Sequence, residues 1–100
     1  MNEENKLYKI IVEGVVQGVG FRAMTRHFAK KNSLIGDIKN NMDGNVEIII
    51  YGNDVGLKLI ERFCESSPGI SEVSSVKSYE IRDSMLKQKY KNKLNFEILR

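Results

Sequence analysis

One arginine in this chain stands directly behind a run of small residues, G-V-V-Q-G-V-G-F-R, from Gly14 to Arg22. Glycines at 14, 18 and 20 permit tight and positive-φ backbone and let main chain approach a ligand closely. A loop that leads from a strand into a helix can gather several backbone N–H groups at the positive end of the helix, and such groups bind anions. Arg22 falls where that helix would begin, and its planar guanidinium can take two oxygens of one phosphate. No Lys-Ser/Thr pair follows the glycines, so this is no Walker A loop, and the spacing is not G-x-G-x-x-G. On spacing alone the plainer reading stays ahead: a tight turn, with Arg22 a solvated surface residue.

Other reactive side chains are scarce. The 100 residues hold one cysteine, Cys64, and one histidine, His27. Cys64 lies in an apolar helical pattern, where a lone cysteine is ordinarily a small core residue. His27 reads as a helix-surface residue. One Cys and one His cannot build a metal cluster unless carboxylates contribute, so no metal and no cofactor are expected. The net charge is +3, from 16 Lys+Arg against 13 Asp+Glu. That suits a small anionic ligand and is too weak to argue for nucleic acid. Residues 1–9 are polar, with no signal-peptide core, and no apolar run reaches membrane-spanning length. A cytoplasmic protein with no membrane partner is expected.

The elements that must position these residues follow from periodicity. Leu7–Gly14 alternates as a strand with Tyr8, Ile10 and Val12 on one face. Residues 22–34 read as a helix, with Met24, Phe28 and Ala29 on one side and Arg26, Lys30 and Lys31 on the other. Ile35–Met42 is a weaker strand. Asp43-Gly44 signals a hairpin into Asn45–Gly52, whose Val46, Ile48 and Ile50 would face the core. Asn53 or Asp54 can cap a second helix that carries Val55, Leu59, Ile60, Phe63 and Cys64. A fourth strand is marked by Val73 and Val76. A segment with Lys87, Lys89, Lys91 and Lys93 follows and reads as a solvated loop. Leu94–Leu99 is a short last strand. The order β-α-β-β-α-β plus one strand predicts an α+β ferredoxin-like split βαβ sandwich. Its antiparallel sheet would have four to five strands, with two helices on one face. Residues 1–100 fit a single domain.

The Gly14–Arg22 stretch resembles the signature of the acylphosphatase family. A second block, G-D-I-K-N-N-M-D-G-N-V-E, is similar to that family's G-W-V-x-N-x-x-D-G-x-V-E. Gly36, Ile38 (for Val), Asn40, Asp43, Gly44, Val46 and Glu47 are in register. S-P-G-I-S-E-V-S-S-V, from Ser67 to Val76, is a looser echo of G-P-x-x-A-x-V-x-x-V. The resemblance covers residues 7–80, and the last strand also fits.

The resemblance implies hydrolysis of the carboxyl–phosphate anhydride of a small-molecule acyl phosphate. It puts the phosphate-binding arginine at Arg22 and the water-positioning asparagine at Asn40. The cradle of backbone N–H groups falls on Gln17, Gly18, Val19, Gly20, Phe21 and Arg22. The residues suit that chemistry. The leaving carboxylate is a weak base and needs no general acid, so the reaction asks for positioning and charge stabilisation. Asn41, Asp43 and Gly44 read as turn formers, and Glu47 as an exposed strand residue. Tyr8, Tyr51 and Tyr79 read as sheet packing. The family's tryptophan after the glycine is Asp37 here, and Ser33 and Ser67 replace glycines. A monomer is expected.

Two alternatives come from other classes. A phosphate-sensing or regulatory module on the same fold would bind without turnover. An RNA-recognition module shares the element order, but its third strand carries stacking aromatics, where this chain has N-V-E-I-I-I-Y-G. The chain is also similar to the acylphosphatase-like domain that opens larger hydrogenase-maturation proteins, for whose further domains 100 residues leave no room.

Overall fold

Alternation decides the central strand. In a computed structural model, which describes residues 4–100, β1 (Lys6–Val15) buries Tyr8, Ile10 and Val12 on one face and Leu7 on the other. Met1–Glu3, the start of the polar stretch read as lacking a signal core, lie outside the described residues. The chain continues through α1 (Phe21–Lys31), β2 (Ile35–Asn40), β3 (Val46–Gly52), α2 (Asp54–Glu65), β4 (Glu72–Ile81), α3 (Ser84–Lys91) and β5 (Phe96–Ile98). One five-stranded sheet results, in the order β4-β1-β3-β2-β5. The expected sandwich is present, with one difference in detail. β5 runs parallel to β2, while all other pairings are antiparallel, so the sheet is mixed.

Both long helices bury every fourth residue. In α1 these are Phe21, Thr25 and Ala29; in α2 they are Gly56, Ile60 and Cys64. That spacing puts each set on one stripe. The stripes close over Ile10, Val12, Ile38, Val46, Ile48, Ile50 and Phe96 on the sheet. The helices meet at Phe28 and Phe63, whose rings stack with centroids 4.4 Å apart. Asn53 caps α2, its side chain accepting from Gly56 N at 3.1 Å. Of the apolar residues α2 carries, Val55 and Leu59 stand outside the core at 55% and 38% exposure. The stripe through Gly56, Ile60 and Cys64 runs one residue further along each turn.

Val73 and Val76 both pack on this core although they are three positions apart, an odd spacing that strict alternation would send to opposite faces. A bulge explains it. Gly14 pairs with Val73 and Glu13 with Ser75, so Ser74 has no partner and the alternation shifts by one.

The lysine-rich segment is a correction to the solvated loop. Residues 84–91 form α3, capped by Asp83, which accepts from Leu86 N at 3.0 Å. It lies across the sheet face opposite α1 and α2. There Tyr90 and Leu86 pack with Leu7, Ile49, Tyr51 and Ile81. Tyr90 Oη donates to Asp37 Oδ2 at 2.7 Å, and both residues are buried. Lysines 87, 89 and 91 hid an amphipathic turn because only Leu86 and Tyr90 turn inward. An RNA-recognition module stacks bases on that face; here α3 covers it. No described helix is long and apolar enough to cross a membrane.

Candidate active site

Strand register brings the two ends of the site together. Asn40 pairs with Val46 on β3, and Val46 pairs with Val12 on β1. Three residues past Val12, β1 ends and the loop of residues 16–20 begins. Asn40 therefore lies at the edge of the sheet from which that loop emerges. Alternation along β2 gives Asn40 the face of Ile38, the face covered by α1, and gives Asp37 the face of α3.

The loop is fastened at both ends and in the middle. Val16 and Phe21 are each 1% exposed, and Val19 packs against the same core. Gln17 reaches across to the β2–β3 hairpin. Its Nε2 donates to the carbonyls of Asn41 at 2.8 Å and Asn45 at 2.9 Å. Both side-chain N–H bonds of Gln17 are thus spent inside the protein, tying the loop to the hairpin. That side-chain role is invisible in the sequence, where Gln17 reads only as one member of a cradle.

Gly18 and Gly20 have φ of 74° and 77°, in the left-handed region. A Cβ at either would meet nothing within 4 Å, so conformation alone requires glycine there. Gly20 is the N-cap of α1 and supplies no side-chain cap. Met24 N, bonded to Gly20 O at 3.1 Å, is the first donor inside the helix. The N–H groups of Phe21, Arg22 and Ala23 find no carbonyl within it. No acidic residue stands in the first turn. The positive end of α1 is therefore uncompensated by any side chain of its own.

Arg22 lines a cavity of about 310 Å³ together with Val16, Gly18, Gly20 and Phe21. Arg26, Ala23, Ile98 and Arg100 complete its wall. Gln17, Val19 and Asn40 are not among the lining residues; Asn40 is the last residue of β2, two positions past Ile38, which pairs with the lining residue Ile98. Arg26 is one the sequence could have yielded, since it follows Arg22 by four residues on one helix face. Arg100 was not legible, because its place depends on β5 lying parallel to β2.

Asn40 Oδ1 is buried and has no hydrogen-bond partner among the described residues. Its neighbour is tied to the hairpin. Asn41 donates from its backbone to Asn45 O at 2.8 Å and from Nδ2 to Glu47 Oε1 at 3.4 Å. Glu47, expected to be exposed, is half-buried and meets Lys39 Nζ at 4.0 Å. Asp43 Oδ1 accepts from Asn45 N at 2.9 Å and closes the hairpin turn. His27 is exposed on α1. Cys64 is fully buried, and burial is the main reason its thiol is pushed up to about 12. Among the described residues no three His, Cys, Asp or Glu side chains are grouped to hold a metal.

Known proteins are similar to this chain in sequence and in fold. The acylphosphatase family model matches residues 8–98. The acylphosphatase of Geobacillus kaustophilus (strain HTA426) is 44% identical over 69 residues, 69% of this chain and 73% of that protein. That of Vibrio vulnificus (strain CMCP6) is 38% identical over 73 residues, 73% of this chain and 81% of that protein. The crystal structure of acylphosphatase from Bacillus subtilis superposes with a TM-score of 0.80 at 33% identity. That superposition covers 94% of this chain and 98% of the other. The match thus spans the glycine loop, the asparagine strand and the parallel β5 alike, and the chain belongs to the acylphosphatase family.

Proposed function

We propose that the chain hydrolyses the carboxyl–phosphate bond of acyl phosphates, with phosphate held by residues 17–22 and the attacking water oriented by Asn40. Arg22 takes two phosphate oxygens through its planar fork. The N–H groups of the loop and of the first α1 turn meet the remaining oxygen at the positive end of the helix. These donors oppose the charge that spreads over the phosphoryl oxygens in the transition state. Asn40 Oδ1 accepts from the water, and the amide fixes the direction of its lone pair. The water oxygen bonds to phosphorus as the bond to the carboxylate oxygen breaks. The carboxylate leaves with the bonding pair, and a proton of the water passes to a phosphate oxygen.

One observation carries this reading: the buried, unpartnered Oδ1 of Asn40. Burying such an acceptor costs about 1–3 kcal/mol, which a bound water offsets. Asn41 beside it bonds through its backbone and Nδ2 to hairpin residues and is a hairpin residue. The relatives bear the name acylphosphatase, which favours turnover over phosphate sensing. One sheet and one main core support a single domain acting as a monomer on a small molecule. A lone, buried cysteine suits a cytoplasmic setting.

The test is hydrolysis of benzoyl phosphate, with and without EDTA, by wild type, Arg22→Ala and Asn40→Ala. Wild-type turnover should persist in EDTA, since the residues named need no metal. Arg22→Ala should lower kcat by about 10²–10³-fold. Asn40→Ala should lower kcat with KM little changed. A folded wild type that leaves benzoyl phosphate intact ends the proposal.

A further inference from the structure

The cavity at the loop holds more positive charge than a phosphate group needs. Arg22, Arg26 and Arg100 all line it, and no acidic side chain does. A phosphate group carries about −1.5 to −2 near neutral pH. The Arg22 guanidinium and the N-terminus of α1, worth roughly half a charge, already come close to that value. Two guanidinium groups are left over. Neither Arg26 nor Arg100 makes an ion pair among the described residues, although four other ion pairs form there. Arg26 is also fixed in direction: it follows Arg22 by one turn of α1, so both side chains leave the helix on the same side.

We infer that the preferred substrate carries a second negative group on its acyl part, and that Arg26, with Arg100 beside it, receives that group. The inference rests on the acyl-phosphate reading above and adds the substrate class. Arg22 and the loop hold the phosphate. A second carboxylate on the acyl part, remote from the scissile bond, or a second phosphate, lies against the surplus guanidinium groups at the rim of the same cavity. Both rim residues are exposed, so the attraction is screened by salt and amounts to a preference, not an absolute requirement.

The experiment compares 4-carboxybenzoyl phosphate with benzoyl phosphate, which differ only in the remote charge. The readout is the ratio of the two kcat/KM values, from which any general loss of activity divides out. Wild type should favour the charged compound by about fivefold at low ionic strength. Added potassium chloride should narrow the ratio. Arg26→Gln should bring it close to one, and Arg26→Glu should push it below one. A wild-type ratio of one, or a ratio unmoved by both variants, overturns the inference and leaves the activity standing. Failure of wild type to cleave either compound overturns the acyl-phosphate reading and this inference with it.

Discussion

Gln17 Nε2 donates to the Asn41 carbonyl at 2.8 Å, one residue beyond Asn40. The bond ties the loop that would hold phosphate to the strand that would hold water. Its second donor engages Asn45 O at 2.9 Å, so the tie spans the hairpin. Each carbonyl keeps a second backbone partner, from Gly44 N and from Asn41 N respectively. Gln17→Ala therefore orphans no buried acceptor and should cost only about 1–2 kcal/mol of stability. The distance between loop and Asn40 is then free to drift. Misplacement on the ångström scale costs up to about 100-fold in rate. The expected outcome is a roughly 10- to 100-fold loss in kcat with KM for benzoyl phosphate nearly unchanged. A variant with wild-type kcat would show the tie to be structural only.

Gly20 tests the loop in another way. Alanine there meets no steric obstacle, yet must adopt φ 77°. The left-handed conformation costs about 1–2 kcal/mol in a residue with a Cβ. The chain can relieve that strain by turning the loop, which moves the N–H groups at the start of α1. Gly20→Ala should fold with a modestly lowered Tm and should raise KM for benzoyl phosphate and the inhibition constant for inorganic phosphate together. Unchanged phosphate inhibition would separate the loop backbone from phosphate binding.

Periodicity made the main core and the order of strands legible, because β1 and β3 alternate cleanly at Tyr8, Ile10, Val12, Val46, Ile48 and Ile50. Three features were hidden for physical reasons. The bulge at Ser74 breaks period two, so Val73 and Val76 look out of phase. α3 presents only Leu86 and Tyr90 inward among lysines, and the segment's charge masks them. β5 is three residues long and its direction is set by pairing with β2, which no local pattern encodes. The site shows the same division. Arg22 and Asn40 stand out in the family motifs, while the Gln17 side-chain bonds and the Arg100 wall exist only once β2, β3 and β5 are assembled.

Cys64 should be chemically silent in the native state. It is fully buried on α2, and burial leads the causes that push its thiol up to about 12. The thiolate is the reactive form, so neutral solution holds almost none of it. Dithionitrobenzoate should modify no thiol in the folded protein and one in guanidinium chloride. Fast labelling of the native state would place Cys64 in an opening segment instead of the core.

Asp37 stands where the family has tryptophan, and it makes stability depend on pH in an unusual direction. It is 4% exposed beneath α3. Burial raises its carboxyl above 3.8, and the bond from Tyr90 with the nearby Lys93 and Lys89 only partly opposes that. The folded state therefore holds the Asp37 proton more tightly than the unfolded state does. From 3.8 up to the raised folded value, the native form binds more protons, so this group's contribution to stability falls as pH rises. Asp37→Asn removes the buried charge and keeps an acceptor for the Tyr90 hydroxyl. Its Tm relative to wild type should climb between acid and neutral pH, through that window, and level off above it. Tyr90→Phe moves the other way: it strips the carboxylate of its only hydrogen bond among the described residues and should cost about 1–3 kcal/mol at neutral pH. A Tm difference between Asp37→Asn and wild type that stays constant across pH would mean that Asp37 is ionised at no cost, and that α3 rests on Tyr90 and Leu86 packing alone.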